Sequence, residues 1–346
     1  GSGGSVLIAQ YWGIRDSKSV HRIMGVMFSI GMTFGVVFFF VVVLIPDRIV
    51  RLYTHDQEVI RLAEIFLRLQ APVFLFHPIT MVYTAGQRAT GHSRIPMLTG
   101  TSAFILNALL NYVFIFGKFG APRLGTTGAS IGTLISRAVE FALMIFLTYR
   151  LKSPCSSALR EYFSFSRDLV RRTLRNVLPV LGNELAWGSG VNVYYSFYAR
   201  ISTTAAAAAA AVGPFAAFFF ITVCAMGDAA GVLIGNELGK GRVDRALSIA
   251  RLARWINGVS AIFLGMGIIL LRRWLLSAYA LTPEAIEAAA VLLVICGAAF
   301  PIRALDYTML IGILRPGGDV VVCMLIDALS IWLVGLPLTA LLSLGF

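Results

Sequence analysis

The sequence predicts an all-α polytopic membrane protein whose helices form two parallel six-helix lobes. Three observations predict this fold class: an apolar composition, a series of apolar runs of about 20 residues, and an internal repeat. Of the 346 residues, 58% are hydrophobic and only 13% are charged, with a mean hydropathy of +0.81. A soluble core cannot bury that much apolar surface, whereas a lipid bilayer accepts it.

The apolar runs predict one partial and nine full membrane spans. Each full run is long enough to cross a hydrocarbon layer of roughly 30 Å as a helix. The connections between them are short, with one exception described below. The predicted spans are 1–12, 24–46, 59–84, 95–117, 124–149, 176–199, 205–238, 252–272, 284–313 and 318–344.

The exception is the segment 150–175, which we predict to be a linker between an N-terminal lobe (1–149) and a C-terminal lobe (176–346). Its residues 160–175 have the pattern of an amphipathic basic helix on a membrane surface. Loops on the linker's side hold 18 basic residues and loops on the other side hold 9. By the positive-inside rule the linker is cytoplasmic. The net charge of +12 therefore indicates topology, and it gives no reason to expect a nucleic-acid partner.

An internal repeat appears when the sequence is aligned with itself, without gaps, so that Val6 is paired with Val232. The matched segments 6–91 and 232–317 share the tripeptide Val-Leu-Ile at the start of each and the pair Gly13 and Gly239. Six spans separate the two copies of the opening motif, so both copies face the same side and the repeats are parallel. We therefore expect twelve helices in a complete protein, of which this chain holds about ten. The first helix of the N-terminal lobe and the last of the C-terminal lobe are missing.

Ionisable groups inside apolar spans are candidates for function, because each costs several kcal/mol unless it is paired or hydrated. Glu140 follows Arg137 by three residues, which favours a structural ion pair. Asp306 follows Arg303 at the same spacing, so a structural pair and a functional role both remain open. Four acidic residues lie clearly within spans: Glu184, Asp228, Asp306 and Asp327. No role is assigned to Asp228 or Asp327.

Glu184 has no basic residue within one or two turns of its own helix. At 100° per residue, Glu184, Gly188, Asn192 and Tyr195 share one stripe, as in the lining of a hydrated cavity. The alternative is a neutral carboxyl packed against a neighbouring helix. As a cation-binding group, Glu184 would have Asp306 as its partner across the bundle.

Two asparagines in the predicted span 95–117, Asn107 and Asn111, are four residues apart and so share a helix face. Hydrogen bonding between helices and ligand binding explain them equally well. In either case we expect both side chains to face the interior of the first lobe, because amides in hydrocarbon would leave donors unsatisfied.

The sequence carries no GxSxG, HExxH or Walker motif, and its four histidines lack the spacing of metal ligands. Its four cysteines show neither metal spacing nor a disulfide framework. We therefore expect no enzyme active site, no metal, no cofactor and no ATP.

The chain resembles the multidrug and toxic compound extrusion (MATE) family, in its bacterial NorM-like branch. The matching stretches, in the family's order, are "AQYWGIRD", "GHSRIPM", "NALLNYVFIFG", "GTTGASIGTLISR", "GNELGKG" and "GILRPGGD". The resemblance implies two lobes that alternate between inward- and outward-open forms around a central cavity. It also implies export of small amphipathic cations in exchange for Na⁺ or H⁺ across the bacterial cytoplasmic membrane. We expect a monomer in contact with membrane lipid.

The resemblance also assigns residues. Glu184 falls where the family has a membrane-embedded carboxylate in its seventh helix, and Asp306 lies near the acidic position of the tenth. Asn107 matches the asparagine of the fifth helix, whereas Asn111 stands where many members have aspartate. An amide cannot titrate, which puts a cation site of that kind in the first lobe in doubt. Together with Asn192 and Tyr195, the two asparagines are predicted to line the substrate cavity.

Two other functions are compatible with the sequence. A flippase for lipid-linked oligosaccharides, from the same superfamily, would need a cavity lined by several cationic residues. Only Arg137 and Arg303 are assigned to the membrane interior, because the other basic residues near span ends were counted with the loops. An intramembrane enzyme would need a catalytic pair that the sequence does not show.

Overall fold

All secondary-structure elements among the described residues are helices, which confirms the all-α fold class. The computed structural model describes residues 2–51, 54–164, 166–201, 203–277, 279 and 282–344, and the side chains of all these except 2, 195, 198–201, 203, 206 and 344. Two π-helical segments, Thr308–Leu314 and Ser330–Gly335, follow α12 and α14. The α-helices are α1 (Ser2–Gly13), α2 (Ser17–Leu44), α3 (Pro46–Arg51), α4 (Gln57–Gln70), α5 (Val73–Ala89), α6 (Arg94–Phe116), α7 (Thr126–Arg150), α8 (Leu159–Tyr162), α9 (Arg167–Ile201), α10 (Thr203–Gly239), α11 (Val243–Leu276), α12 (Pro283–Tyr307), α13 (Arg315–Gly317), α14 (Val320–Leu329) and α15 (Leu336–Leu344).

The chain divides into two helical units, each with its own core. One unit runs from Gly3 to Thr173 and the other from Leu174 to Phe346, so the division falls within the predicted linker. In the first unit α2 packs against α5 and α6 packs against α7. In the second unit α10, α11 and α12 pack against one another, and the π-helical segment after α12 packs against α10.

The repeat found in the sequence is present in the helix boundaries. In the alignment that pairs Val6 with Val232, the end of α1 corresponds to the end of α10, and the starts of α2, α4 and α6 correspond to those of α11, α12 and α14. The caps also correspond, because Asp56 accepts a hydrogen bond from the Glu58 amide at 2.9 Å and Thr282 accepts one from the Ala285 amide at 3.3 Å. The sequence also predicted that the two copies are related by a rotation axis along the membrane normal, and this stays a prediction.

Seven helices of the described residues are long and apolar enough to cross a membrane, against the ten segments predicted. The predicted span 59–84 is broken at Ala71 and Pro72 into α4 and α5, and α1 has only 12 residues. Helix α9 has 35 residues, but polar residues such as Asn183 and Glu184 lower its hydropathy. The seven are Ser17–Leu44, Arg94–Phe116, Thr126–Arg150, Ala207–Gly239, Val243–Leu276, Pro283–Gly317 and Val320–Ser343.

A large part of the predicted linker packs into the first unit. We call residues 153–162 the docked segment. Within it, Cys155 and Tyr162 are almost fully buried, and the Tyr162 hydroxyl donates to the Cys155 carbonyl. The His21 Nε2 atom on α2 lies 2.7 Å from the Pro154 carbonyl oxygen. On α2, a Cβ atom added to Gly25 would overlap the backbone oxygen of Tyr162, so the docked segment crosses α2 at van der Waals distance.

Polar contacts fix the start of the docked segment. Gln87 on α5 donates to the Thr148 hydroxyl at 2.9 Å and accepts from the Ser153 hydroxyl at 2.6 Å, so its buried amide is satisfied on both sides. Burial raises the pKa of Cys155 to about 12, and this thiol is therefore protonated and unreactive at neutral pH.

The basic surface helix predicted over 160–175 does not form as a separate element. Helix α8 covers only Leu159–Tyr162, and residues 167–175 are the first turns of α9, which continues to Ile201. The sequence from Arg167 to Leu178 contains no glycine or proline that would end a helix, so the basic turns and the following span form one helix.

The turn between α10 and α11 contains a residue with a left-handed backbone conformation, as does the corresponding turn of the first copy. Gly241 has a φ of +73°, and its counterpart in the first copy is Arg15, with a φ of +60°. A Cβ at Gly241 would contact nothing, so Gly241→Ala should lower the free energy of unfolding by roughly 1 kcal/mol through the left-handed backbone alone. Thermal melting in detergent measures this change. Gly241→Asn should cost less, since asparagine tolerates this conformation; equal losses would contradict the explanation.

Candidate functional site

The first unit holds a polar cluster between α6 and α7. The Asn107 amide donates to the hydroxyls of Thr133 and Ser136, each at 3.2 Å, and the Asn111 amide donates to the Asn107 side-chain oxygen at 3.2 Å. Both asparagines therefore face α7 within the unit, as predicted. Their role in a substrate cavity stays a prediction.

The cluster borders a cavity of about 180 Å³. Ligand pockets typically occupy about 300 to 1,000 Å³, so this cavity is smaller than a pocket for a drug-sized molecule. Thr133 and Ser136 were not identified from the sequence, although their spacing from Arg137 and Glu140 on one helix places them on a common face. The cavity is lined by Gly100, Ala103, Phe104, Asn107, Thr133, Ser136, Arg137 and Glu140.

The predicted ion pair between Arg137 and Glu140 closes one wall of this cavity. Arg137 Nη1 lies 2.7 Å from Glu140 Oε2, and the Glu140 side chain is only 9% exposed. The three-residue spacing predicted this ion pair. It gives a carboxylate partner to Arg137, one of the two arginines assigned to the membrane interior from the sequence.

Removal of one partner of this pair tests its role. Arg137→Leu leaves the buried Glu140 carboxylate without its cation and should lower the free energy of unfolding by about 2 kcal/mol, a value reduced because the Arg137 side chain is 44% exposed. Adding Glu140→Gln should restore most of the loss, because a neutral amide needs no counter-charge. Melting of the single and double variants gives the coupling energy. Additive losses would show that the two side chains act independently.

In the second unit, Glu184 on α9 is paired across the bundle with Arg315 on α13. Arg315 Nη1 lies 3.9 Å from Glu184 Oε1; the arginine side chain is 3% exposed and the carboxylate 58%. Arg315 was not identified as a partner of Glu184 from the sequence, and a cation site that combines Glu184 with Asp306 stays a prediction. Arg315 was assigned to a loop from the sequence, and no periodic pattern relates it to α9.

A second contact links α9 to α14. The Asn183 amide donates to Asp327 Oδ2 at 2.9 Å, and the Trp332 indole donates to the Ala186 carbonyl at 3.0 Å. Asp327, which had no assigned role, is therefore adjacent in space to the residue preceding Glu184.

Asp306 on α12 is exposed and forms no ion pair with Arg303 among the described residues. The Arg303 guanidinium instead lies over the Phe220 ring, 4.0 Å from its centroid. The structural alternative for Asp306, a pair with Arg303, is therefore wrong. Asp306 lies two residues before the first π-helical segment, and Asp327 lies three residues before the second. Short π-helical segments are frequent at functional sites.

Asp228 on α10 also gains a partner. The Tyr307 hydroxyl donates to Asp228 Oδ1 at 3.1 Å. One residue later, the Thr308 hydroxyl oxygen accepts from the Asn257 amide at 2.6 Å, so α10, α11 and the end of α12 are joined by buried polar contacts.

The stripe predicted on α9 is only partly described. Glu184 and Asn192 are both exposed, and the Asn192 amide donates to the Gly188 carbonyl of its own helix at 2.8 Å. The side chain of Tyr195 lies outside the described residues. A cavity lining formed by these residues stays a prediction.

Comparison with known proteins identifies the family. The model of the MatE family matches residues 1–113 and 184–341. The probable multidrug resistance protein YoeA of Bacillus subtilis is 25% identical over 345 residues, which are 99% of this chain and 74% of YoeA. The probable multidrug resistance protein NorM of Thermotoga maritima is 25% identical over 346 residues, with 97% of this chain and 72% of NorM covered.

Solved structures agree on the fold. A multidrug resistance MATE family transporter of the MOP superfamily, in an outward-facing conformation, superposes with a TM-score of 0.88 at 17% identity, covering 97% of this chain and 74% of its own. The Vibrio cholerae MATE transporter VcmN in its bent form gives a TM-score of 0.82 at 19% identity, covering 97% and 75%. With the family model matched over more than half of its residues, the chain belongs to the MatE family of multi-pass membrane transporters.

Proposed function

We propose that this protein is a secondary active antiporter that exports small amphipathic cations in exchange for Na⁺ or H⁺, without ATP. Two kinds of observation support the proposal. The relatives YoeA and NorM are named as probable multidrug resistance proteins. In segments predicted to span the membrane, the second unit holds the three carboxylates of Glu184, Asp306 and Asp327, and among the described residues one arginine, Arg315, pairs with them.

That excess of negative charge is the observation that carries the proposal. Asn183, the residue before Glu184, binds Asp327 on α14, and Asp306 lies on α12 of the same unit. Among the described residues only Arg315 forms an ion pair with any of the carboxylates of Glu184, Asp306 and Asp327, so these four side chains carry a formal charge of −2. Such a charge inside a membrane segment requires cations, since unpaired ionised groups in hydrocarbon cost several kcal/mol.

The geometry gives this excess charge a way to couple two fluxes. The Glu184 carboxylate is half exposed, and its contact with Arg315 is long, so one side remains open to a cation. A proton, Na⁺ or a cationic substrate can each neutralise the open carboxylates, and only one can do so fully at a time. Binding of one therefore favours release of the other, as exchange requires. Alternation between inward- and outward-open forms would carry each across the bilayer.

Flippase activity is not favoured. Three arginines of the apolar helices are already engaged: Arg137 with Glu140, Arg303 over Phe220, and Arg315 with Glu184. A pyrophosphate group bound by any of these three would have to displace its contact. The negative charge of Glu184, Asp306 and Asp327 would also repel such a ligand.

A transport assay tests the proposal. The chain is reconstituted in proteoliposomes without nucleotide, and the movement of ethidium, a fluorescent amphipathic cation, is followed under an imposed Na⁺ gradient or an imposed H⁺ gradient. Ethidium should move against its own gradient under at least one of the two, and collapse of that gradient with an ionophore should stop it. Movement under neither gradient, or movement that requires ATP, would refute antiport.

A further inference from the structure

The second unit has a cleft between α11 and α12 that the transport proposal does not use. It encloses about 320 Å³ and is lined by Arg254, Trp255, Gly258, Val259, Pro301 and Leu305, together with Ile262. This volume lies at the lower end of the range typical of ligand pockets.

The packing of the two helices explains why the cleft exists. Gly265 and Gly297 mark the closest approach of α11 and α12, because a Cβ added to either would overlap the backbone oxygen of the other glycine or approach it closely. Pro301 follows one turn after Gly297 within α12, and a proline inside a helix removes a hydrogen bond and bends the axis. From the contact of the two glycines towards Arg254, the helices are therefore separated by a groove. At Gly258 the Leu305 side chain of α12 packs against the glycine, since an added Cβ would lie 3.3 Å from Leu305 Cδ2, and the two residues form part of the groove's floor.

The cleft is apolar along its length and basic at one end. Trp255 is 70% exposed, Val259 42% and Ile262 51%, all on an outer face of a helix that is long and apolar enough to cross the membrane. Eight residues separate Arg254 from Ile262, so the groove extends roughly 12 Å along the helix. Arg254 is exposed and pairs with no carboxylate of the described residues.

The basic end lies on the cytoplasmic side. The loop before α11 is on the same side as the basic linker, and Arg251 and Arg254 belong to the cytoplasmic excess of positive charge. Trp255 is placed beside Arg254, as aromatic residues commonly are at the level of the lipid head groups. An arginine offers a fork of donors to phosphate oxygens at that level.

We propose that this cleft binds one anionic phospholipid of the cytoplasmic leaflet. The phosphate lies at Arg254, and one acyl chain runs along Val259 and Ile262 towards the contact of Gly265 with Gly297. The occupant is a lipid rather than a soluble phosphate, because the apolar part of the cleft has no use for a free anion. This inference does not depend on the transport proposal.

Native mass spectrometry of the purified chain tests the proposal. The chain is titrated with phosphatidylglycerol or with the zwitterionic phosphatidylethanolamine, and the first binding event is measured. Phosphatidylglycerol should bind more tightly, and Arg254→Gln should weaken its binding about fivefold, the value of one basic residue at an anionic surface. Val259→Trp, which fills the cleft at an exposed position, should weaken binding of both lipids.

Arg245→Gln is the matched control. It makes the same change of charge on the same helix, but nine residues from Arg254, which at 100° per residue is the opposite face. It should leave the first phosphatidylglycerol unaffected. Equal binding of the two lipids, or equal effects of Arg245→Gln and Arg254→Gln, would overturn the proposal. Melting temperatures show that each variant is folded, and displacement of lipid by dodecyl maltoside without regard to head group would also reject it.

Discussion

Glu184→Gln should reduce gradient-driven export of ethidium by roughly 100-fold, the upper part of the range for coupling between two sites. The amide cannot be neutralised by a proton or by Na⁺, so ion and substrate no longer compete for it. The formal negative charge of the group formed by Glu184, Asp306, Asp327 and Arg315 also falls by one. The measurement is the initial rate in proteoliposomes under the gradient that drives the unmodified chain.

Three further variants test whether the loss of export in Glu184→Gln comes from the missing carboxylate. Glu184→Asp keeps the charge but withdraws it from Arg315, so partial activity with altered ion dependence is expected. Arg315→Gln releases the carboxylate from its guanidinium, and the concentration of Na⁺ or H⁺ needed for half-maximal export should fall. Glu64→Gln, which makes the same change in a carboxylate paired with Arg68 on α4, should leave transport intact. Export by Glu184→Gln at the unmodified rate would mean that Glu184 is a packing residue.

Gly25→Val should lower the free energy of unfolding by about 3 kcal/mol, the upper part of the range for overpacking. The first atom of any side chain at this position overlaps the Tyr162 backbone oxygen, and a backbone atom cannot swing aside as a side chain can. The docked segment must therefore leave α2. With it, the Cys155 thiol is released from the burial that raises its pKa to about 12.

Two readouts follow that displacement. The melting temperature should fall, and maleimide labelling at pH 8, mapped by peptide mass spectrometry, should become fast at Cys155. Gly267→Val is the control, since a Cβ at Gly267 on α11 would contact nothing. It should change neither stability nor labelling by a measurable amount. A Gly25→Val protein with an unreactive Cys155 would show that the docked segment moves without leaving its site.

Local patterns in the sequence predicted local features of the structure. The pair of Arg137 and Glu140 and the shared face of Asn107 and Asn111 depend only on the period of one helix, and both are present. The repeat predicted matching boundaries for helices that lie far apart in the chain, because each copy carries its own turn and cap residues. These features need no knowledge of how helices pack.

Contacts between helices were not predicted. Asn183 binds Asp327 across 144 positions of the chain, and Tyr307 binds Asp228 across 79. The hydrophobic period of a helix tells which residues share its face, but not which other helix that face meets. Glu184 was therefore correctly described as lacking a basic neighbour along its helix, while its partner Arg315 could not be identified.

The docked segment was missed for a related reason. It belongs to the linker 150–175, whose basic residues and position between two sets of spans are typical of a tether, and composition alone does not reveal that Cys155 and Tyr162 are buried. The π-helical segments were also unpredicted, since one additional residue in a turn leaves almost no mark on an apolar sequence.

The corresponding boundaries of the two copies have a consequence for how the protein diverged after duplication. When the copies are aligned, Asp306 corresponds to Thr80, Asp327 to Thr101 and Arg315 to Ala89. The ancestral scaffold was kept in both halves, while the charged groups of this site were gained or retained in only one. In this respect the two copies are unequal: they share helix boundaries, but at these three positions the second copy has charged side chains where the first has uncharged ones.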